Sequence, residues 1–553
     1  MPQLAACYPE VTMAHPPFTD SRSDEEHLAR LGYKQELGRT LGSFTTFATG
    51  FAFISILTGA FQLFAFAFGT AGPAFWWTWL VALGGQALFA LCFAELAVHY
   101  PMAGSVYNWA KQVGRPTTAW MAGFSLTLAL IVSTAAVGLA MQFVLPTISS
   151  VFWIYGNGSG TYDAATNGVI LGAIAIALTT VVNLLGPKVV AIVNNIGVAV
   201  ELIASVFLII FFFAAAKRGP QIILHTEGHT AHTSLGTPGA LLVAILLGVY
   251  ILWGFDTAGS LGEETINPRK TSPRAILRAV FAAGISGALL MIGALMAVQH
   301  INDPRMSTIG LPFVVESVLG HTLGTIALVA VAIAIFVCIM ANQTGAMRMI
   351  FAMSRDNGLP GSRSLSKLSA TTKAPVRAAL LTGAIAIVIL LVNIRQPQIF
   401  TVVTSTTVVL AIIAYTLVAG SFLIRRLRGH WTENRRYFHL GRWGVPVAIA
   451  AVAWGVFVVI NTAWPRRAVY NPSPPFHWAL QWGAVLFCGI ALLGGLAYYR
   501  AVQRHKVGVL PQHAATADLF APDASTVDVN AAGIAFSPDA ALEEDDKPHT
   551  STL

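Results

Sequence analysis

The chain of 553 residues is 55% hydrophobic and only 10% charged, with a mean hydropathy of +0.66 and a formal net charge of +8. Soluble globular domains carry about 25% charged residues, so this composition excludes a protein whose whole surface faces water. The basic residues lie in short segments beside apolar runs, which the positive-inside rule of membrane proteins explains better than nucleic-acid binding does. No nucleic-acid partner is therefore expected.

The first part of the chain is polar. Residues 1–42 mix both signs of charge and contain no apolar core before the first long apolar run. A secretory signal peptide needs such a core, so none is expected here. We interpret residues 1–42 as a cytoplasmic tail that precedes the first membrane-spanning helix.

Twelve apolar runs follow, each close to the roughly 20 residues that a spanning helix needs. Their approximate bounds are 43–68, 75–99, 119–145, 168–186, 190–215, 240–259, 275–299, 323–346, 376–393, 399–424, 445–463 and 478–499. Two of them nearly merge at Gly186, and we keep them separate because Pro187 would break a continuous helix. The sequence thus predicts an all-α membrane protein with twelve transmembrane helices, forming a transporter domain over residues 43–504.

The loops set the orientation. If the N-terminus is cytoplasmic, 27 of the 33 Lys and Arg residues fall in cytoplasmic segments, including cytoplasmic helix ends, and six fall in external loops, which leaves none for the membrane interior. Both termini are then cytoplasmic, and the protein is expected in the plasma or inner membrane of the cell. Residues 505–553, which include the acidic run at 543–546, have no apolar stripe and are expected to form a disordered tail.

The chemistry must come from polar groups inside the bundle. The sequence has no phosphate-binding G-x-x-x-x-G-K-[ST] loop and no paired metal-ligand motif, so we expect neither an ATP-driven pump nor a metal or other cofactor. Three carboxylates fall inside spanning segments, namely Glu95, Glu201 and Asp256. A carboxylate in lipid is costly and marks a functional hypothesis. Four cysteines lie mostly in apolar runs and are interpreted as small apolar side chains.

Asp256 is the strongest of these candidates. It follows Gly254 in the sixth predicted helix, where a glycine and polar residues weaken the helix. The first helix has a similar weak point at 55–59. Paired interruptions in corresponding helices of two halves indicate a transporter's binding site. Because these helices are five apart, the pattern fits two inverted five-helix repeats with two helices appended. A structural kink, with Asp256 bonded to a nearby hydroxyl, is the competing interpretation.

The two interruptions suit a zwitterion or a cationic amine. A half-helix beginning near Gly59 would point its free N–H groups at a substrate carboxylate. A half-helix ending near Gly254 would present free carbonyls to an ammonium group, and Asp256 would hold that ammonium or accept a proton. Glu201 lies half-way through the fifth helix and is a candidate for carrying the coupling proton, because burial disfavours its charged form. A neutral, hydrogen-bonded Glu201 is equally compatible with the sequence. Glu95, near a helix end, is expected to pair with a basic loop residue.

Several short motifs point to one family. They comprise a tail motif, the two weak points, an external Gly-Pro, two stretches around the second helix, and loops after the sixth and eighth helices. They are Leu31–Leu37, Ser55–Gly59, Gly72-Pro73, Ala94–Leu96, Tyr100–Gly104, Tyr107–Trp109, Gly254–Asp256, Glu263–Thr265, Asn267-Pro268, Pro273, Arg348–Ala352 and Arg355–Pro360. On these motifs, residues 30–500 resemble the amino acid–polyamine–organocation permease superfamily, and within it the amino acid/choline branch that includes GABA permeases.

The resemblance implies a LeuT-like fold of five-plus-five inverted repeats with broken helices 1 and 6. It implies substrate contacts from both breaks, and an aromatic gate at Tyr250. The implied substrate-binding residues are Ser55, Ile56, Leu57, Thr58, Gly59, Tyr250, Trp253, Gly254, Phe255, Asp256 and Thr257. Proton-coupled relatives carry a lysine on the fifth helix where this chain has Glu201, so Glu201 and Asp256 are both ion-coupling candidates, for a proton or for sodium.

We therefore expect a permease that transports an amino acid or a GABA-like amine, by proton-coupled symport and alternating access. An exchanger of amines, amino acids, choline or polyamines is an alternative, and a sodium-coupled symporter is another. A membrane-embedded enzyme is disfavoured because the spanning segments contain no histidine pair. Paired broken helices argue against a channel. A sensor without transport is a further alternative that the sequence does not exclude. The oligomeric state is not predicted.

Overall fold

The computed structural model describes residues 28–34, 36, 39–232, 235–392, 394–395, 399–471 and 476–513. The chain divides into two units, residues 35–513 and residues 1–34 with 514–553. The described part of the smaller unit contains a helical turn at 28–30. Most of both predicted tails, including Cys7 and the acidic run at 543–546, lies outside the described residues.

The larger unit is helical, and its only bridge between extended segments in the described residues pairs Leu41 with Thr265. Its principal helices are α1 Ser43–Ile54, α2 Ile56–Ala71, α3 Trp76–His99, α4 Ser105–Val113, α5 Pro116–Leu139, α6 Met141–Ile148, α7 Asp163–Leu184, α8 Pro187–Ala214, α9 Gly236–Ile251, α10 Thr257–Ser260, α11 Pro268–Ala297, α12 Leu311–Arg355, α13 Val376–Val392, α14 Ile399–Leu427, α15 Gly444–Ala463 and α16 Gly483–Tyr498.

Nine helical stretches in the described part of the chain are long and apolar enough to cross a bilayer. The first runs from Ser43 to His99 and covers two of the predicted segments, and two shorter apolar helices, α9 and α13, lie over two further segments. The chain is thus a multi-pass membrane protein, and the count of twelve spanning helices stays a prediction. The structure separates α7 from α8 at Gly186, whose φ of 103° suits glycine.

The interrupted helices pack against each other at the centre of the unit. Helix α2 packs against α9, and α1 packs against α10. A Cβ on Gly59 would lie 2.3 Å from Ile251 Cγ1, and a Cβ on Gly254 would lie 1.8 Å from the Phe53 ring. These two glycines therefore allow the first and sixth predicted helices to approach closely at their interruptions.

The remaining helices surround this pair. Helix α12 packs against α8 and against α2, while α14 packs against α5 and α15. Helices α15 and α16 are mostly exposed along their length, as expected for helices at a lipid-facing edge.

Candidate functional site

The first interruption is a single residue. Helix α1 ends at Ile54, α2 begins at Ile56, and Ser55 between them has φ 33° and ψ 92°. A non-glycine residue at positive φ costs on the order of 1–3 kcal/mol and persists only where its surroundings hold it. The sequence placed the start of the second half-helix near Gly59. That expectation was wrong by three residues, because Gly59 is a helical residue that makes room for Ile251.

Glu201 binds the open end of α2. Its Oε1 accepts hydrogen bonds from Ser55 Oγ at 2.9 Å and from the Leu57 N–H at 3.2 Å, and the Ile56 N–H faces the same carboxylate. Glu201 is 1% exposed. The first N–H groups of a helix have no partners within the helix and favour a negative charge. The Glu201 carboxylate therefore caps α2 from the middle of α8.

The second interruption is longer. Helix α9 ends at Ile251, three residues before the predicted end near Gly254, and the chain becomes helical again at Thr257. Gly254 has φ 85°, in the left-handed region that favours glycine. Its N–H donates to the Tyr415 hydroxyl at 2.9 Å.

Asp256 belongs to a separate hydrogen-bond network from Glu201. The Asp256 carboxylate accepts a hydrogen bond from the Tyr415 hydroxyl and another from Ser105 Oγ at 2.8 Å. Both donors are hydroxyls, which agrees with the structural interpretation of Asp256 weighed from the sequence. Tyr415 therefore connects the broken backbone at Gly254 to the Asp256 carboxylate.

Aromatic and polar side chains lie between the two networks. The Phe53 and Trp253 rings meet edge to face with centroids 4.9 Å apart, and Cys338 Sγ lies 3.5 Å from the Phe53 carbonyl oxygen. The Tyr250 hydroxyl lies beside Gln62. Within the described part of the chain, neither this hydroxyl nor Gln62 Oε1 makes a hydrogen bond of normal geometry. Buried polar atoms without partners are costly, so these two atoms are candidates to bind a ligand.

Ion pairs gather where α10 and α12 end. Arg355 makes two hydrogen bonds to the Glu263 carboxylate, at 2.9 and 3.1 Å, and Arg348 lies 3.0 Å from Glu264. Burial raises the pKa of the Glu264 carboxyl, and the charge of Arg348 opposes that rise. The Asp356 carboxylate, directly after Arg355 in the chain, accepts hydrogen bonds from Lys111 Nζ at 2.6 Å and from the Tyr107 hydroxyl at 2.9 Å.

A crevice lies beside these ion pairs, between α1, α8 and α12. It is lined by Thr45, Asn194 and Thr344, and by both members of the Glu264–Arg348 pair. Asn194 is 3% exposed, and its Nδ2 has no hydrogen-bond partner among the described residues. The crevice thus joins the ion-paired face to the polar side of α8.

Glu95 lies apart from both interruptions. It accepts from Arg426 Nη2 at 2.5 Å and from Trp431 Nε1 at 2.8 Å. The pairing with a basic residue is the one that the sequence predicts, but Arg426 lies in the last turn of α14 and not in a loop. Among the residues that the structure describes, no group of three or more His, Cys, Asp or Glu could hold a metal ion.

Comparison with known proteins identifies the family. Residues 42–490 match the family described as "Amino acid permease". The chain belongs to the amino acid permease family. This assignment confirms the resemblance to the amino acid–polyamine–organocation superfamily. Proteins of this family are transporters, which supports transport and not catalysis.

Its curated relatives are similar over most of their length. The amino-acid permease BAT1 of Arabidopsis thaliana is 25% identical, over 80% of this chain and 89% of the relative. The BAT1 homologue of rice is 28% identical, over 79% and 87%. An uncharacterised amino-acid permease of Schizosaccharomyces pombe is 25% identical, over 86% of each chain.

Sequence reasoning missed three residues of this site, namely Ser105, Cys338 and Tyr415. Cys338 was interpreted as an apolar filler, and Ser105 lies between two motif stretches without belonging to either. Tyr415 is the single tyrosine of the apolar run 399–424. A lone tyrosine in such a run was a usable signal, because its hydroxyl extends well beyond its own helix and needs a partner when it is buried.

Proposed function

We propose that this protein is a secondary active transporter that carries an amino acid or a GABA-like amine by alternating access, in symport with protons. The observation that carries the proposal is the pair of helix interruptions, at Ser55 and at Gly254, which pack side by side in the core. Irregular backbone at membrane depth is tolerated where it lines a cavity or binds a ligand. The proposed fold is twelve helices in a five-plus-five inverted repeat.

Each interruption offers groups that suit one end of an amino acid. The open end of α2 presents N–H groups and a positive dipole end that favour a carboxylate. The open end of α9 presents carbonyl oxygens that favour an ammonium group. The curated relatives are named amino-acid permeases, and this supports an amino acid over an inorganic ion as the substrate.

The proposed orientation follows the basic residues. It places both termini, the ion pairs of Arg348 and Arg355, and the crevice on the cytoplasmic side of a cell membrane. The crevice would then be the route between the centre and the cytoplasm. Opening it further would require the Glu264–Arg348 pair, which lines it, to separate.

The proposed coupling ion is a proton carried by Glu201. Two contacts support this role: Glu201 is buried, and it binds the backbone at one interruption. Any change in its charge therefore acts directly on the groups that would receive the substrate. Sodium is the competing coupling ion, and Glu201 would then be its carboxylate ligand.

The test is uptake into proteoliposomes that contain the purified full-length protein. Labelled GABA, choline, putrescine and a mixed amino-acid pool would each be offered with and without an inward proton gradient, and with and without sodium. We expect one or more amino acids to accumulate under the proton gradient alone. Accumulation that needs sodium would show that sodium, and not a proton, is the coupling ion. Counterflow without a gradient would show that the protein is an exchanger and not a symporter. No flux of any compound would refute the transporter proposal.

A further inference from the structure

The open end of α2 is already occupied by a carboxylate of the protein itself. Glu201 Oε1 receives both the Ser55 hydroxyl and the Leu57 N–H, and Ser55 Oγ lies a further 2.6 Å from Thr58 Oγ1. These are the donors that a substrate carboxylate would use at this interruption. A donor that is bound to Glu201 is not available to a second carboxylate.

No cationic side chain in the described part of the chain pairs with Glu201, so none would compensate the charges of Glu201 and a substrate carboxylate together. In the described part of the chain, Glu201 has no ion pair with Lys, Arg or His. The titratable group that faces it from α12 is the Cys338 thiol. The Ser55 hydroxyl faces it from between α1 and α2, and the Thr58 hydroxyl of α2 bonds to Ser55. Two carboxylates that share a buried site cannot both be charged without a large cost.

We propose that Glu201 occupies the carboxylate subsite of the transporter when no substrate is bound, and that a substrate carboxylate displaces it in exchange for a proton. Protonated Glu201 releases the Leu57 and Ser55 donors, which then bind the substrate carboxylate. The proton enters with the substrate and remains on Glu201, so the charge at the open end of α2 stays the same. This inference rests on the proposed function and specifies its substrate class as amino acids with a free carboxylate.

The exchange makes substrate binding and proton binding favour each other. By linkage, each carboxylate substrate that binds should take up about one proton from solution, at a pH where Glu201 is charged beforehand. A substrate amine without a carboxylate has no need to displace Glu201. Its binding should take up no proton and should be insensitive to changes at Glu201.

The experiment measures binding and proton uptake together by titration calorimetry in buffers of different ionisation enthalpy, with the full-length protein in nanodiscs. The probes are GABA and a pool of neutral amino acids, with n-butylamine as the carboxylate-free counterpart of GABA. Wild type is compared with Glu201→Gln and Glu201→Ala. Ser205→Ala is the matched control, because Ser205 is a buried polar residue on the same helix, one turn away.

For wild type and Ser205→Ala we expect proton uptake with the carboxylate ligand and an affinity that falls as the pH rises. Glu201→Gln should bind with no proton uptake and with a flat pH profile, because its amide is neutral at every pH. Glu201→Ala should bind the carboxylate ligand about tenfold more tightly than wild type at high pH, because the competitor for the donors is gone.

Wild-type binding of amino acids without proton uptake would overturn the exchange and leave the proposed transport function intact. The exchange is likewise overturned if Glu201→Ala keeps the wild-type pH dependence. Failure of every amino acid to bind, together with absent uptake in proteoliposomes, would refute the transport function instead. The wild-type measurement alone tests the exchange, even if a variant does not fold.

Discussion

The guanidinium group of Arg355 and the carboxylate of Glu263 form a two-pronged ion pair with both side chains almost completely buried, 1% and 0% exposed. Glu263 also accepts the Ala103 N–H at 2.9 Å, so the pair ties the end of α12 to the segment that precedes α4. Such geometry offsets the cost of removing two charges from water, but only while both partners are present.

We therefore expect Glu263→Gln to destabilise the protein by about 3–5 kcal/mol, because Arg355 would keep a buried and uncompensated charge. The measurement is the unfolding midpoint of the detergent-solubilised protein. Arg305→Ala is the control, since the Arg305 side chain is 58% exposed in its ion pair with Asp303, and no clear change is expected there. Equal effects of the two substitutions would contradict the argument.

Asp256→Asn should abolish or strongly reduce transport while the protein still inserts and remains monodisperse. The amide keeps the size of the carboxylate but loses its charge, and one of its two polar atoms cannot accept from a hydroxyl. Each charged hydrogen bond that is lost contributes about 1.5–3 kcal/mol, or about 10- to 100-fold in rate. Uptake in proteoliposomes is the measurement, and normal uptake by this variant would remove Asp256 from the site.

Tyr415→Phe tests the link between Asp256 and the broken helix. The substitution removes the hydroxyl that receives the Gly254 N–H and donates to Asp256, while it keeps the ring that packs on Phe93. We expect transport to fall about tenfold, with a smaller loss than in Asp256→Asn because Ser105 still donates to the carboxylate. Transport at the wild-type rate would show that the link is dispensable.

Gly59→Ala should lower the yield of folded protein, because the added methyl group would lie 2.3 Å from Ile251 Cγ1. Overpacking of this kind costs about 1–3 kcal/mol. The double variant Gly59→Ala/Ile251→Ala should recover part of that loss, since it removes the atoms that clash. Gly84→Ala is the control, because nothing lies within 4 Å of a Cβ at Gly84. The readout is the unfolding midpoint, and a double variant less stable than Gly59→Ala would refute the close approach.

The segment after α16 lies along the loop that follows α12, and one substitution tests this contact. The N–H groups of Gly508 and Leu510 donate to the carbonyl oxygens of Asp356 and Arg355, at 3.0 and 2.9 Å. Leu510→Pro removes one donor and should speed amide exchange at Gly508, whereas Leu510→Ala keeps the donor and should not. Hydrogen exchange followed by mass spectrometry distinguishes the two, and equal protection in both variants would contradict the pairing.

The sequence was sufficient for the helical class and the family, because apolar runs of spanning length and the spacing of glycines are local signals. It also located the weak point in the first helix near Ser55. It did not locate the start of α2, since Gly59 has the composition of a helix breaker but serves the contact with Ile251. Whether a glycine breaks a helix or admits a neighbour depends on tertiary packing, which a single sequence does not display.

The partners of the two carboxylates were beyond the sequence for the same reason. Glu201 and Leu57 are 144 positions apart, and Asp256 and Tyr415 are 159 apart. A lone carboxylate in an apolar run indicates that it has a hydrogen-bond partner. The tilt and rotation of each helix determine which residue that partner is. Glu95 was easier, because a carboxylate at a helix end has the basic residues at the ends of neighbouring helices within reach.

The left-handed conformation of Ser55 has a mechanical consequence. Ser55 is the single residue between α1 and α2, so a change in its two backbone dihedrals would rotate α1 as a rigid body relative to α2. Helix α2 would stay in place during such a swing, since Gly59 seats it against Ile251. Because a positive φ at Ser55 costs on the order of 1–3 kcal/mol, a movement of α1 that brought Ser55 to a negative φ would recover that strain energy.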